Sequence, residues 1–526
     1  MKRFLLGIFI CFPFSLSTAQ SPNWQNKDLV ADSVFGISTD KAYKELLSSK
    51  KSTSVLVAVI DCGIDTAHED LKPSIWINPH KLLSNRKDAE KDGYINDIHG
   101  WSFIGGKKGD VEFDNLEVTR LMRQDQAYFD SLSYAGVPST VQPQYQKFRK
   151  WEKRYIDQLK NAEAMVDRVG KIKMILDSIM EMTRSSTVTV KDLQSYTTHG
   201  KAEKELIVGL SSQLSSDPDY PRFYKLVCDT YTHFEEQVKY SLNMTYDSRA
   251  IVGDDYNNIV ESNYGNNNVC GPDAVHGTHV SGIIAATRNN GIGINGIADN
   301  VKIMCIRVVP TGDERDKDVA NGIRYAVNNG AKIINMSFGK PLSPYKRAVD
   351  DAVKYAMARG VLIIHAAGND GKDLENPENA FYPSRDYADS SGQANAWIEV
   401  GASGFKDDST LCANFSNYGK TKVDVFAPGV SIYSTTPNSS YAYFDGTSMA
   451  APTVTGLASI IMEYFPRLSA AEVKQIILRS VYKVNHNVIL RNDNGAFVSV
   501  PFSQVCITGG IVNAFKALKL AQAITR

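Results

Sequence analysis

The 526-residue sequence has no excess of either charge and no cysteine pattern of the kind that binds zinc. Lysine plus arginine and aspartate plus glutamate both count 58, and no long basic run offers a surface for phosphate groups. We therefore expect no nucleic-acid partner. No Cys-x-x-Cys pair occurs, which excludes the usual spacing of zinc ligands.

Cysteine is also scarce, with seven residues in the whole chain. Cys11 lies near the N-terminus, where lipid attachment is a less favoured alternative because the small residues of such a signal do not precede it. The other six allow 15 pairings in an oxidising compartment. A chain of this size does not need disulfides in order to fold, so the sequence predicts no particular pairing.

What the chain does contain is an ordinary globular composition, with 43% hydrophobic and 22% charged residues. Its length exceeds that of a usual domain, which predicts one large domain with an insertion.

The N-terminus has the pattern of an export signal. Lys2 and Arg3 precede an apolar stretch from Phe4 to Phe14, and Ser17 to Ala19 form a small-residue cleavage site. We expect cleavage after Ala19 and secretion to the periplasm or the medium. A membrane anchor is the alternative, but about 20 uninterrupted apolar residues are needed to cross a bilayer and this run is shorter. No membrane span is expected after cleavage.

Strand-like and helix-like segments alternate over most of the chain. Continuous apolar runs predict strands buried on both faces of a parallel sheet. Amphipathic stretches between them predict helices that pack on both faces. The fold class is therefore α/β, with an open, mostly parallel sheet whose active site lies at the carboxyl ends of the strands. The strand runs are 55–61, 301–309, 331–336 and 360–365, and the amphipathic stretches include 318–329 and 345–358.

The pattern changes between roughly residues 110 and 245, where charged, Gln-rich and Met-rich segments have helical spacing. This predicts an inserted α-helical segment. A solvated hairpin on one edge of the domain is favoured, since charged helical faces usually face water. A cap over the cleft and a partner-binding arm are the alternatives. The predicted helices are 111–132, 142–169, 171–182 and 220–242.

Two sequence motifs contain a candidate carboxylate and a candidate base. Asp61 ends a buried strand and is followed by a glycine turn, so its carboxylate could orient an imidazole. His276 precedes Gly-Thr and a helix of small residues, where its side chain could face a cleft. His279, one turn further on, is more easily explained as a satisfied core residue. Asp61 alone would be interpreted as an ordinary turn residue.

Two further phrases supply a nucleophile and a polar donor. Ser448 starts a long helix of small and apolar residues, whose free N–H groups and dipole favour negative charge. Asn369 lies in a turn after a buried strand, where its amide could donate to an oxyanion. Each has a purely structural alternative, an N-cap for Ser448 and turn chemistry for Asn369.

These four phrases, in the order Asp, His, Asn and Ser, resemble the signature set of the subtilisin superfamily of serine proteases. Ser337, Phe338 and Gly339 also resemble the family's substrate-binding strand, with which an extended peptide pairs as an added β-strand. The segment 426–429 is another match. The resemblance covers about residues 50–110 and 245–526.

The resemblance implies a secreted serine endopeptidase acting on protein or peptide substrates, with no cofactor required for the chemistry. Ser448 would be the nucleophile, His276 the general base and Asp61 its orienting partner, while the Asn369 side chain and the Ser448 N–H would hold the oxyanion. The implied organisation is a signal peptide at 1–19, an N-terminal extension at 20–49, a peptidase domain at 50–110 and 245–526, and a helical insertion at 111–244.

Calcium is the ion that the resemblance implies. The loop from Arg288 to Ile294 is similar to the family's calcium loop, in which backbone carbonyls and an Asn amide are ligands, and Asp70 matches the carboxylate that joins them. The implied ligands are Asp70, Arg288, Asn290, Ile292 and Ile294. The acidic segment 92–97 is a second candidate, which is better explained as a turn because it lacks the full spacing of a calcium loop.

The sequence departs from the family in the interval between Asp61 and His276, which contains the whole helical segment. Cys62 stands where relatives commonly carry Ser or Thr, and a small thiol should fit the same space. Two other hypotheses stay open at this stage. One is a catalytically silent surface protein that binds a partner, and the other is a processing protease whose insertion restricts access to the cleft.

Overall fold

A computed structural model describes residues 21–80, 92–132, 136–216 and 219–526. The predicted export signal and its cleavage site lie outside these residues. The described chain forms two units. The sheet unit comprises the described residues up to 112 together with 251–309 and 314–526, and the helical unit comprises 113–250 together with 310–313. The division at 113 and 250 lies close to the boundaries expected for the insertion.

The strands belong to the sheet unit. In chain order they are β1 Val55–Asp61, β2 Gly100–Ser102, β3 Gly105–Gly106, β4 Gly109–Asp110, β5 Val301–Arg307, β6 Ile333–Met336, β7 Leu362–Ala366, β8 Trp397–Ser403, β9 Val425–Pro428, β10 Ile432–Thr436, β11 Ser440–Phe444, β12 Tyr482–Lys483, β13 Asn487–Arg491, β14 Phe497–Pro501 and β15 Gly510–Ile511.

The helices of the described chain are α1 Leu29–Asp32, α2 Thr39–Ala42, α3 Glu117–Asp130, α4 Gln142–Thr183, α5 Val190–Ser195, α6 Lys201–Ser216, α7 Tyr220–Glu236, α8 Arg249–Val252, α9 Val275–Ala285, α10 Asp316–Asn328, α11 Lys346–Ala358, α12 Thr447–Tyr464, α13 Ala470–Arg479 and α14 Ala514–Ile524. None of these described helices combines the length and the apolar character needed to cross a membrane.

The main sheet has nine strands in the order β12-β15-β9-β8-β7-β6-β1-β5-β2. The pair β12 and β15 is antiparallel, and the other neighbouring pairs are parallel. Strand β1 lies between β5 and β6, so the chain reverses its direction of winding at β1. The predicted fold class, an open and mostly parallel sheet with helices on both faces, is confirmed.

Each face of the sheet has its own apolar core, because successive side chains of a strand point to opposite faces. Val57 and Val59 of β1 belong to the core that contains α9, α12, α13 and α14. Ala58 and Ile60 belong to the core that contains α10 and α11. A strand buried on both sides must be apolar throughout, which explains the continuous run that predicted β1.

The helical unit contains helices α3 to α7 and two apolar clusters of its own, one around Ile175 and Leu210 and the other around Phe129 and Phe148. Its residues 310–313 are joined to the segment before α3 by a hydrogen bond from Asp114 N to Thr311 O at 3.0 Å. The predicted helical character of the insertion is therefore seen in the structure.

Two expectations for the insertion were wrong. The predicted helices 142–169 and 171–182 are one helix, α4, which continues through Gly170. A Cβ at Gly170 would lie 3.0 Å from the ring of Tyr231, so this glycine makes room for α7 and does not end the helix. Helices α5 and α6 were not predicted, although Ile207, Leu210 and Leu214 have helical spacing in α6.

Candidate active site

The polar residues identified in the sequence lie at the carboxyl edge of three neighbouring strands. Asp61 is the last residue of β1, Ser337 follows β6 directly, and Asn369 lies three residues beyond the end of β7. The register pairs Ile60 with Met336 and Met336 with His365, so the three strands end at the same level. The topology of the sheet therefore gathers residues that are far apart in sequence.

Asp61 and His276 form a hydrogen-bonded pair. The Nδ1–H of His276 donates to Asp61 Oδ1 at 2.8 Å, and the Cys62 N–H donates to the same oxygen at 2.8 Å. Helix α9 can approach this closely because its third residue is Gly277, where a Cβ would lie 2.2 Å from the Gly63 carbonyl oxygen. The carboxylate thus holds the imidazole in the tautomer that leaves Nε2 free to accept a proton.

The environment of His276 raises the pKa of its imidazole above the ordinary value. Burial acts against the charged form and lowers the pKa, but the negative charge of Asp61 and its hydrogen bond raise the pKa more, with a further contribution from Asp273. The His276 side chain remains 37% exposed, whereas that of Asp61 is only 2% exposed. The imidazole therefore faces solvent and the carboxylate does not.

Ser448 is the second residue of α12, so its N–H is among the first four of the helix, which have no acceptor within it. Its hydroxyl donates to the Ser337 carbonyl oxygen at 2.9 Å. Among the described residues, no hydrogen bond joins Ser448 to His276. The Ser448 hydroxyl therefore bonds to the backbone of the segment after β6 in this structure, and not to the imidazole.

Asn369 is bonded to the start of α12, at the residue that directly precedes Ser448. Its Oδ1 accepts hydrogen bonds from the Thr447 N–H and the Thr447 hydroxyl, both at 2.9 Å. The Thr447 hydroxyl oxygen in turn accepts from the Gly368 N–H at 3.1 Å. Because the carbonyl side of the amide is occupied in this way, the Nδ2 donors of Asn369 are directed away from Thr447.

Asn417 holds the turn that carries Asn369, and sequence reasoning missed it. Its Oδ1 accepts from the Asp370 and Lys372 N–H groups at 3.2 and 2.9 Å, and its Nδ2 donates to the Ala367 carbonyl at 2.9 Å. Asn417 is buried. It lies far from Asn369 in sequence and on no periodic pattern, so only the fold reveals this support.

The segment Ser337 to Gly339 leaves the sheet beside Ser448. The Ser337 hydroxyl donates to the Ser448 carbonyl at 3.0 Å and accepts from Asn335 Nδ2 at 2.9 Å. The Phe338 carbonyl accepts from His365 Nε2 at 2.9 Å. The bond from Ser337 to Ser448 and the bond from His365 to Phe338 fix this segment against the start of α12 and the end of β7.

His279 belongs to the core, as the sequence favoured. It is fully buried, its ring stacks on Phe444 with centroids 4.3 Å apart, and its Nε2 lies 3.1 Å from the Ala442 carbonyl oxygen. Burial lowers the pKa of this imidazole to about 3, so it stays neutral. His276 and His279 are therefore clearly separated in role by their surroundings.

The six described cysteines are all free thiols. Burial raises the pKa of Cys62 well above its ordinary value, and the neighbouring Asp61 charge adds to this effect. Cys62 is thus a protonated thiol behind the acid–base pair, in agreement with the expectation that a small thiol fits this space.

Two of the residues named for calcium, Asn290 and Ile294, bond to the buried carboxylate of Asp70, whereas the Arg288 side chain donates to Asp40 Oδ1 at 2.7 Å. Asp70 Oδ1 accepts from Asn290 Nδ2 at 2.7 Å, and Asp70 Oδ2 accepts from the Ile294 N–H at 3.3 Å. Burial raises the pKa of Asp70. The second acidic segment, 92–97, forms a turn in which the Tyr94 N–H donates to Asp92 Oδ1 at 3.1 Å.

Residues 52–496 match the family model described as the subtilase family of S8 peptidases. The chain is 38% identical over 211 residues to the thermophilic serine proteinase of Bacillus sp. (strain AK1), a match that covers 40% of this chain and 47% of that protein. It is 38% identical over 201 residues to subtilisin DY of Bacillus licheniformis, covering 38% of this chain and 67% of that protein. The matches thus span about half to two thirds of these curated relatives.

Two solved structures are also similar. A protease from Pseudoalteromonas arctica PAMC 21717 has 28% identity and a TM-score of 0.37, covering 48% of this chain and 73% of that one. A chain of the subtilase cytotoxin SubAB assembly has 24% identity and a TM-score of 0.40, covering 48% of this chain and 77% of that one.

Proposed function

The chain belongs to the subtilase family, and on this premise we propose that it is a secreted serine endopeptidase that forms an acyl-enzyme on Ser448. One observation carries the proposal. The Asp61–His276 pair, at 2.8 Å, lies at the same edge of the sheet as Ser448, whose helix start is bonded to Asn369. An acid–base pair, a hydroxyl and an amide donor are the groups that acyl transfer from a peptide requires.

The proposed reaction begins when the Ser448 hydroxyl turns from the Ser337 carbonyl towards His276. Nε2 of His276 takes the hydroxyl proton as Oγ bonds to the scissile carbonyl carbon. The oxygen of the tetrahedral intermediate accepts from Asn369 Nδ2 and the Ser448 N–H. His276 then protonates the leaving amine, the C–N bond breaks, and a water molecule activated by His276 releases the acyl group from Ser448.

The test compares the chain with its Ser448→Ala variant on a reduced, alkylated protein and on short peptides. A serine-directed phosphonofluoridate is expected to label Ser448 and to stop hydrolysis. Cleavage of the unfolded protein without labelling of Ser448 would assign the chemistry to another residue. A labelled Ser448 with no cleavage of any peptide would contradict endopeptidase activity.

We expect Asn369→Leu to lower kcat about 100- to 1,000-fold with little change in KM, since the donor acts on charge that develops only in the transition state. This is the size known for the equivalent donor of subtilisin, a member of the same family. Steady-state kinetics on one peptide measures it. The matched control is Asn379→Leu in the following loop, whose amide donates to Asp493, and which should change kcat by less than about threefold.

We also propose that the sheet unit holds a structural calcium ion at Asp70 and the 288–294 loop. The carbonyl oxygens of Arg288, Ile292 and Ile294 accept no hydrogen bond from any described residue, so they are available as hard oxygen ligands. Asn290 would supply its amide oxygen, which accepts from the Ile292 N–H at 3.1 Å in this structure. The ion would stabilise the loop and take no part in the chemistry.

A buried glutamine supports this proposal. Gln25 is fully buried, and neither atom of its side-chain amide has a hydrogen-bond partner among the described residues. The next residue, Asn26, donates to the Asn295 carbonyl at 2.9 Å, which ties this turn to the loop. No cluster of three or more His, Cys, Asp or Glu side chains suited to a metal occurs in the described chain, so the ligands would be mainly carbonyl oxygens.

Removal of calcium with a chelator should lower the melting temperature, and added calcium should restore it. At a concentration 100 times the Kd, binding stabilises the folded state by about 2.7 kcal/mol. Differential scanning calorimetry with and without calcium measures the shift. Asp70→Asn should abolish the response, whereas Asp92→Asn in the second acidic segment should retain it. A response that persists in Asp70→Asn would place the ion elsewhere.

We propose export through the signal at residues 1–19, with the mature enzyme in the periplasm or the medium. The charged start, the apolar stretch and the small-residue site support this location. Proteins and peptides are the proposed substrates.

A further inference from the structure

Two glycines line the space beside the nucleophile. Gly339 lies two residues after Ser337, whose carbonyl accepts from the Ser448 hydroxyl, and Gly368 directly precedes Asn369. In the proposed reaction the substrate carbonyl contacts Ser448 and Asn369, and it would therefore lie beside these two segments. The side chain of the substrate residue that contains this carbonyl would then enter the space between Gly339 and Gly368. We call the backbone at these two glycines the walls of this space.

The ring of Phe381 occupies one end of this space. A Cβ at Gly339 would lie 2.4 Å from Phe381 Cε1 and 2.5 Å from Cζ. A Cβ at Gly368 would lie 3.1 Å from Cζ and 3.2 Å from Cε2 of the same ring. The outer edge of one aromatic ring thus touches both walls. The two glycines leave a slot between their segments. The Phe381 ring closes one end of this slot, which we call its floor.

The ring is held in place from two sides. The next residue, Tyr382, exchanges both backbone hydrogen bonds with Lys340, at 2.8 and 2.9 Å, which fixes Phe381 in register with the Gly339 wall. The His365 ring packs against Phe381 with centroids 5.8 Å apart.

His365 is itself immobilised. The structure places it fully buried, with Nε2 at 2.9 Å from the Phe338 carbonyl and Nδ1 at 2.8 Å from Glu399. Closely packed groups held by such bonds do not move aside without breaking them. The Phe381 ring therefore packs against a residue that is itself held in place.

We propose that Phe381 determines the substrate class of this protease by restricting the residue before the scissile bond to a small one, namely glycine, alanine or serine. The proposal rests on the proposed function, since it concerns the same site. A leucine, phenylalanine or lysine side chain would need the volume that the ring occupies, and forcing extra atoms into a packed site distorts it. Small side chains need only the mouth of the slot.

The first test is a cleavage-site profile of the unmodified chain on a peptide library and on an unfolded protein. Cuts after glycine, alanine or serine at least tenfold more often than after leucine, phenylalanine or lysine are expected. Equal or preferred cleavage after large residues would overturn the inference while leaving the proposed function intact. Absence of any cleavage, together with no phosphonofluoridate labelling of Ser448, would overturn both.

The second test removes the Phe381 ring from the floor of the slot. In Phe381→Ala, kcat/KM for a peptide with phenylalanine before the scissile bond should rise about 100-fold relative to the same peptide with alanine, since contacts of this kind in a pocket discriminate by 10- to 200-fold for a single methylene. Phe497→Ala, at a 64% exposed position on β14, is the matched control and should leave the ratio unchanged. An unchanged ratio in a folded Phe381→Ala would overturn the inference, and if that variant does not fold, the profile of the unmodified chain decides.

Discussion

Ser448→Ala is expected to lower kcat by about a million-fold while the protein stays folded. This is the loss known for the corresponding change in subtilisin, a member of the same family. The change removes the oxygen that is the proposed nucleophile, and with it the hydrogen bond to the Ser337 carbonyl at 2.9 Å. Ser448 is half-buried at the start of a helix. The loss of its single hydroxyl should therefore lower the free energy of unfolding only slightly. Single-turnover and steady-state assays on one peptide measure the effect.

The control is Ser459→Ala on the same helix, where the hydroxyl donates to the Thr455 carbonyl at 2.8 Å. It makes the same chemical change away from the site and should alter kcat by less than about threefold. Circular dichroism of both variants should match the parent. Substantial hydrolysis by a folded Ser448→Ala protein, free of contaminating protease, would show that another group is the nucleophile.

Asp61→Asn is expected to lower kcat by about 10,000-fold, the size known for the triad aspartate of serine proteases. The asparagine side chain is neutral, so it cannot stabilise the imidazolium that forms during attack as the carboxylate does. It favours the wrong tautomer of the ring. The residual rate should be measurable, because Asn369 and the nucleophile remain.

The same variant should shift the pH dependence of the rate. His276 must be neutral to accept a proton, so activity falls as the pH falls through its pKa. Asp61 raises this pKa above 6.5, and its loss should therefore move the acid limb of the kcat/KM profile to lower pH. Asp273→Asn removes a second negative charge that raises the pKa but keeps the Asp61 hydrogen bond, so it should give a smaller shift in the same direction with nearly normal kcat. An acid limb unmoved in both variants would mean that another group controls it.

Local sequence signals predicted much of the sheet unit. Strands β1, β5, β6 and β7 appear as apolar runs because both of their faces are buried, and this burial leaves a mark in consecutive residues. The turn glycines and the start of α12 are equally local. Parallel strands bring their carboxyl ends together, so Asp61, Ser337 and Asn369, which end or follow three such strands, meet at one edge of the sheet.

Other parts of the site depend on contacts between residues that share no local pattern. Nothing near Asn417 marks it as the support of the Asn369 turn, and Phe381 is an ordinary aromatic residue until Gly339 and Gly368 are placed against its ring. His365 is a polar residue in an otherwise apolar strand, and this contrast is a signal that the sequence does contain. A buried polar residue there needs partners, and Glu399 and Phe338 provide them.

The hydrogen-bond partner of the Ser448 hydroxyl also could not be predicted from the sequence. The sequence identifies Ser448 as the candidate nucleophile, but only the structure shows that its hydroxyl donates to the Ser337 carbonyl. A serine side chain has three staggered rotamers, and local hydrogen bonding decides which of them is populated. Sequence motifs specify which groups meet, but they do not specify which rotamer a free hydroxyl takes before substrate arrives.

The position of β1 in the sheet has a consequence for how the chain assembles. Residue 55 pairs with residue 301, and the helical unit accounts for more than half of the chain between them. Loop-closure entropy grows only with the logarithm of length, so doubling such a loop costs about 0.6 kcal/mol. Equilibrium stability is thus hardly affected, but the central strand cannot find its neighbours until hundreds of later residues have arrived, and such long-range pairing is slow. During synthesis the helices of the insertion can form before β1 finds its neighbours, so the part of the chain that carries Ser448 is completed last.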